Sequence, residues 1–259
     1  MYLMQKDKKT KLNTSWGEVA SWYDDLLEKG DGTYQKDLIL PNLQRLMQIK
    51  KGQMVLDLAC GQGFFSREFA KAGATVFGVD SAEELVKIAK ENSPKEINYF
   101  VSEADNLGFI KSDSVDSIAI VLAIQNMEKA GDVFKECSRV LKKNGRMFLV
   151  MNHPAFRIPK YSSWQFDEEK KTQYRRIDEY LSESRSEIKM SPSDPKSPVT
   201  FSFHRPLQFY FKALGKNGFA VTRLEEWNGN KQSQEGPRKL AEDKARKEIP
   251  MFLMIESIK

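Results

Sequence analysis

The chain is poor in the residues from which metal and redox centres are built. Across 259 residues there are two cysteines, Cys60 and Cys137, and two histidines, His153 and His204. None of the four stands at a ligand spacing to another, so no metal site is expected. No apolar run approaches roughly 18 residues, and no charged-then-apolar leader opens the chain. A cytoplasmic protein with reduced thiols and no membrane partner is expected. Charge of one sign is also scarce, since 41 Lys and Arg against 36 Asp and Glu leave only +5. Part of that excess is the run Lys6, Lys8, Lys9 and Lys11, which reads as a solvated tail. No basic stripe marks a nucleic-acid track, and a nucleic-acid partner is not expected.

What is present is an apolar strand running into a glycine turn, Val55-Leu56-Asp57-Leu58-Ala59-Cys60-Gly61-Gln62-Gly63, followed by a helical pattern from Phe64 to Ala72. Gly61 and Gly63 let the backbone turn tightly and approach a ligand that a Cβ would block. A second apolar strand, Ala74 to Val79, is closed by Asp80. The 19 residues from Gly61 to Asp80 are close to the ~20 that separate a nucleotide-binding turn from a ribose-gripping acid. A nicotinamide or flavin Rossmann domain is one reading. Its G-x-G-x-x-G fingerprint needs a third glycine or alanine where this chain has Ser66, beside a pyrophosphate at the helix end.

The pattern resembles the class I S-adenosylmethionine-dependent methyltransferase family, type 11-like and acting on small molecules. Asp57-x-x-x-Gly61-x-Gly63 is similar to the family's first motif, with Ala59 in place of its first glycine. Gly78-Val79-Asp80 matches its acid-ended second strand, and Ala104-Asp105 lies where the family sets an acid against adenine. The resemblance is good from Lys51 to Asn152. It implies an α/β, Rossmann-like class I methyltransferase fold, with a mostly parallel seven-stranded sheet, helices on both faces and a lid insertion. It implies S-adenosyl-L-methionine as cofactor, which carries no phosphate to cradle.

The order of elements agrees. Strands Met54–Ala59, Thr75–Val79, Ile97–Val101, Ser117–Leu122 and Arg146–Met151 alternate with helices Phe64–Ala72, Ala82–Asn92 and Asp132–Leu141. Such alternation means a parallel sheet covered on both faces. Lys143-Asn144-Gly145 reads as a helix-ending turn. Ahead of this core, residues 1–50 hold two helices, Val19–Leu27 and Leu38–Ile49, expected over the cofactor. The rhythm stops at Pro154. Residues 154–205 are too long for a bare connection and enter at the ligand-binding edge of the sheet, so they are expected to form a lid within a single domain spanning 1–259. Within it, Tyr174 to Met190 reads as a hairpin around Leu181–Ser184 or as a helix. A helix, Pro206–Lys216, and strands Phe219–Glu226 and Phe252–Ile258 complete the fold. A monomer or homodimer is expected.

On the resemblance, Gly61 and Gly63 line the methionine moiety beside Ala59. Asp57 holds its amine, Asp80 accepts the ribose hydroxyls with Ser81 beside it, Asp105 faces the adenine with Asn106 nearby, Leu122 meets the methionine end, and Tyr23 closes the pocket. His153 and His204 flank the insertion. If the acceptor is a hydroxyl, one imidazole is the expected general base, since no other group titrates near neutrality. Tyr161, Trp164, Tyr174 and Tyr210 either face a planar acceptor or pack the lid. Lys170-Lys171 and Arg175-Arg176 read as a solvated face. The expected reaction is in-line methyl transfer to an oxygen, nitrogen or carbon of a small molecule. An RNA methyltransferase and a non-catalytic S-adenosylmethionine-binding protein are the alternatives.

Overall fold

Seven strands form one sheet in the order β10-β11-β5-β4-β1-β2-β3 in a computed structural model that describes residues 16–17, 32–189, 197–229 and 231–259. The expected helix Val19–Leu27, with Tyr23, lies outside the described residues. The parallel strands are β1 (Met54–Leu58), β2 (Thr75–Asp80), β3 (Asn98–Val101), β4 (Val115–Val121) and β5 (Leu141–Asn152). At the far edge β10 (Ala220–Trp227) and β11 (Phe252–Ile258) run antiparallel. The chain leaves β1 towards β2 and β3, then returns on its other side through β4 and β5. This reversal opens a crevice at the carboxyl ends of β1 and β4, the place where open α/β sheets bind ligands.

Strand alternation sorts the core into two layers. Leu56 and Leu58 of β1, with Ile118 and Ile120 of β4, pack with α4 (Ala130–Val140) and α5 (Leu207–Lys216). Val55 and Ala119 point the other way, into α1 (Leu40–Met47), α2 (Phe64–Lys71) and α3 (Glu83–Glu91). Pro41 sits in the first turn of α1, where its missing N–H costs nothing. No described helix is long and apolar enough to cross a membrane.

Two expectations need correction, and one helix was not expected. Lys143-Asn144-Gly145 is not a turn before the strand. β5 begins at Leu141 opposite Val115, bulges where Asn144 takes φ 63°, and resumes pairing at Arg146 opposite Ser117. Lys142 in the bulge donates to Asp116, 2.7 Å away, and this pair anchors the irregularity. Over its described residues, 174–189, the segment expected as a helix or as a hairpin about Leu181–Ser184 is neither. β7 (Thr172–Ile177) pairs back onto β6 (Ser162–Asp167), while β8 (Ser184–Lys189) pairs forward onto β9 (Val199–His204), so Leu181–Ser182 joins two hairpins. A sixth helix, α6 (Lys239–Glu248), precedes β11 and has no counterpart in the sequence reading.

Candidate active site

The crevice at the β1–β4 switch holds a cleft of about 700 Å³. Six of the expected residues line it: Ala59, Gly61, Asp80, Ser81, Asp105 and Leu122. The local geometry follows from the strand ends. Asp80 closes β2, and its carboxylate accepts the amides of Gly61 and Ala82, both at 2.9 Å. The acid therefore fixes the glycine turn. Gly61 takes φ 56° and Ala59 takes φ 61°, both in the left-handed region. Burial raises the Asp80 carboxyl above its ordinary range, against the pull of its backbone hydrogen bonds.

Asp57 lies behind the cleft rather than on its wall. On the Val55 face of β1 it is 2% exposed and accepts the Ser66 hydroxyl at 2.6 Å. Ser66, the residue that breaks the dinucleotide fingerprint, is thus the partner of a buried carboxyl. Desolvation pushes Asp57 up to about 7, opposed by Ser66 and reinforced by the charge of Asp80. Gly63 is also absent from the wall. It takes φ 85° at the start of α2, and a Cβ there would collide with the Tyr99 hydroxyl. Packing of Tyr99 requires this glycine. Asn106 is exposed and closes its own turn, its amide on Glu103 and its carbonyl on the Ser102 hydroxyl.

The histidines do not meet at the cleft. His153 is 4% exposed and His204 5%. His153 accepts the Ala155 amide at Nδ1, so Nε2 carries the proton and donates to Glu226 at 2.8 Å. His204 donates Nε2–H to the Tyr180 carbonyl at 2.9 Å. Burial lowers both imidazoles below their ordinary value, in His153 despite Glu226. Neither stands on the cleft wall, and both ring nitrogens of His153 are engaged. The expected base is therefore not available from either.

The sequence reading missed the wall opposite the glycine turn. Arg185 of β8 and Phe201 and Phe203 of β9 line the cleft, with Asn126 and Met127 facing in from the turn after β4. Arg185 lies over the Phe201 ring, 3.7 Å from its centroid. The period-2 pattern of Val199–His204 could have found the two rings, since they share a face that His204 does not. Of the aromatics proposed for an acceptor, Tyr210 is buried in the core, and Tyr161, Trp164 and Tyr174 are absent from the wall. Among the described residues four carboxylates, Asp80, Glu103, Asp105 and Glu128, line the cleft against two cations, Lys129 and Arg185.

An acid-ended second strand, a glycine turn and a β1–β4 crevice define a nucleoside-binding α/β fold. Residues 56–149 match the family model described as a methyltransferase domain. Over this core the chain is similar to S-adenosylmethionine-dependent methyltransferases. An S-adenosylmethionine-dependent methyltransferase from Mesorhizobium loti superposes with a TM-score of 0.68 at 27% identity, over 85% of this chain and 96% of that one. A biotin biosynthesis bifunctional protein from Cellvibrio japonicus is 30% identical over 61% of this chain and 30% of its own length. A demethylmenaquinone methyltransferase from Paenarthrobacter aurescens is 31% identical over 54% and 55%. The chain thus spans about a third to a half of the curated relatives it matches.

Proposed function

We propose that the protein transfers a methyl group from S-adenosylmethionine to a small, partly apolar acceptor. The observation that carries this reading is the charge of the cleft. Four carboxylates against two cations repel a pyrophosphate and favour a ligand bearing a sulfonium and an amine. The volume of about 700 Å³ lies within the range of small-molecule sites and leaves room for an acceptor beside the cofactor. Asp80 takes the ribose diol, Gly61 and Ala59 lie along the methionine moiety, Leu122 meets its end, and Asp105 faces the adenine. Asp57 acts from behind the turn. The bound cofactor supplies an activated methyl on sulfonium, displaced in line. The chain's own part is to align the acceptor and exclude water.

Phe201 and Phe203 form the acceptor wall, and residues 154–205 serve as a lid on a single domain. With no imidazole on the wall, the acceptor is an amine or carbon, or a hydroxyl methylated by alignment alone. The relative named as a demethylmenaquinone methyltransferase supports the small-molecule class. The test is Asp80→Ala. Loss of a charged acceptor facing a diol should weaken S-adenosylmethionine binding by about 1–3 kcal/mol in a calorimetric titration. Unchanged affinity would remove Asp80 from the site.

A further inference from the structure

A second cavity lies on the other side of β5 and shares no wall residue with the cleft. It is about 40 Å³, lined by Tyr34, by Phe156 and Arg157 beyond β5, by Trp164 and Arg175 of the β6–β7 hairpin, and by Lys231, Arg246 and Met251 on the approach to β11. A single water needs about 10–15 Å³ on this measure, so the space suits a group of a few heavy atoms. Its wall carries four cations and no carboxylate.

Some of these cations are held in place and others are not. Arg175 is fixed, donating to the Phe156 carbonyl at 2.7 Å and the Ser162 hydroxyl at 2.8 Å, with its guanidinium over Trp164. Lys231 sits over the Tyr34 ring at 4.8 Å. Among the described residues Arg157 has no ion pair, and the buried Nε of Arg246 has no hydrogen-bond partner. Strand alternation explains why Arg175 faces inward while its neighbour Arg176 turns out to pair with Asp178 at 2.8 Å. The sequence reading of Arg175-Arg176 as one solvated face is thus half right. Burial and the charge of Arg157 together lower the Arg175 guanidinium, as expected of like charges gathered on one wall.

We propose that this cavity is a binding site for one small oxyanion group, a carboxylate or a phosphoryl, gripped by Arg157, Arg175 and Arg246 and walled by Trp164 and Tyr34. Guanidinium forks match such groups in two-point hydrogen bonds, and an unpaired buried Nε is the donor such a group would satisfy. The site does not depend on the methyl-transfer reading, because it shares no residue with the cleft and can be measured without cofactor.

The test uses the full chain, with inorganic phosphate and acetate as separate probes and chloride as the ionic-strength control. Melting temperature should rise with phosphate or acetate beyond the chloride baseline, and the stronger of the two names the head group. The double variant Arg157→Gln, Arg246→Gln leaves only Arg175, fixed by its hydrogen bonds, and Lys231, held over Tyr34. It should weaken the apparent affinity about ten- to a hundredfold, as expected for losing charge-assisted hydrogen bonds. Without added anion it should melt no lower than the parent, since like-charge repulsion is relieved. No oxyanion response above chloride in the parent would overturn the proposal, as would an undiminished response in a folded double variant. Asp80→Ala should leave the oxyanion response intact. If it abolished that response, the effect would belong to the cleft and not to this cavity.

Discussion

Two kinds of buried titratable residue set opposite pH slopes on this fold. Asp57 is raised to about 7, so the folded chain takes up its proton as pH falls through 7. The unfolded chain waits until about 3.9. Acidification therefore favours folding through Asp57. His153 and His204 are lowered. As pH falls below about 6.5 the unfolded chain binds protons that these buried rings refuse, and stability is lost. Single variants separate the two. Asp57→Asn keeps an acceptor for Ser66 without the charge, so its gain in urea midpoint over the parent should be largest near pH 8, shrink as pH falls through 7, and vanish only below about pH 4. A gain independent of pH would mean Asp57 is not the group that titrates. His153→Gln should flatten the acid loss. Its turnover should stay within about threefold of the parent, because the ring lies off the cleft, whereas loss of a true base costs ~10²–10⁴-fold. A fall of that size with cofactor affinity kept would restore the base assignment. The sequence shows an acid at a strand end or a glycine at a turn, because strand and turn fix where those groups go. It does not show which face of a strand end a histidine takes, and that decided both imidazoles.

At the scale of elements, the alternation from Met54 to Met151 was legible because the central strands are largely buried on both faces and read as apolar runs. The β5 bulge was not, since Lys143-Asn144-Gly145 carries the same residues whether it ends a helix or swells a strand. α6 was missed because only Ala245 on it is buried, which leaves no apolar stripe to read. The two hairpins of 154–205 were hidden by their polar strands, and the turn composition of Leu181–Ser184 pointed to the wrong loop. Yet β9 supplies the rings of the acceptor wall. Replacing Phe201 and Phe203 together by alanine removes that wall while the inward residues Ser202 and His204 stay. Such a variant should bind S-adenosylmethionine within about threefold of the parent and lose most transfer of labelled methyl to acceptors in a metabolite extract, because alignment of the acceptor is where the catalysis lies. Equal loss of cofactor affinity would assign the rings to the cofactor instead.

On the scale of the whole molecule, the cleft joins the carboxyl ends of β1, β2 and β4, which form the centre of the sheet and pack into both core layers. A ligand seated there binds only when that centre is folded, so its affinity adds to global stability by mass action. At a hundredfold excess over the dissociation constant the gain is about 2.7 kcal/mol, which for a chain of this size raises the melting temperature on the order of 5–10 °C. S-adenosylmethionine should produce this shift. NADH should not, because its pyrophosphate would meet Asp80, Glu103, Asp105 and Glu128, and Ser66 serves Asp57 where a dinucleotide fold needs a glycine or alanine for close helix packing. Asp80→Ala should shrink the S-adenosylmethionine shift and leave the ligand-free melting temperature within a few degrees. An equal shift with NADH, or none with S-adenosylmethionine, would reassign the cleft to a dinucleotide or remove it as a nucleoside site altogether.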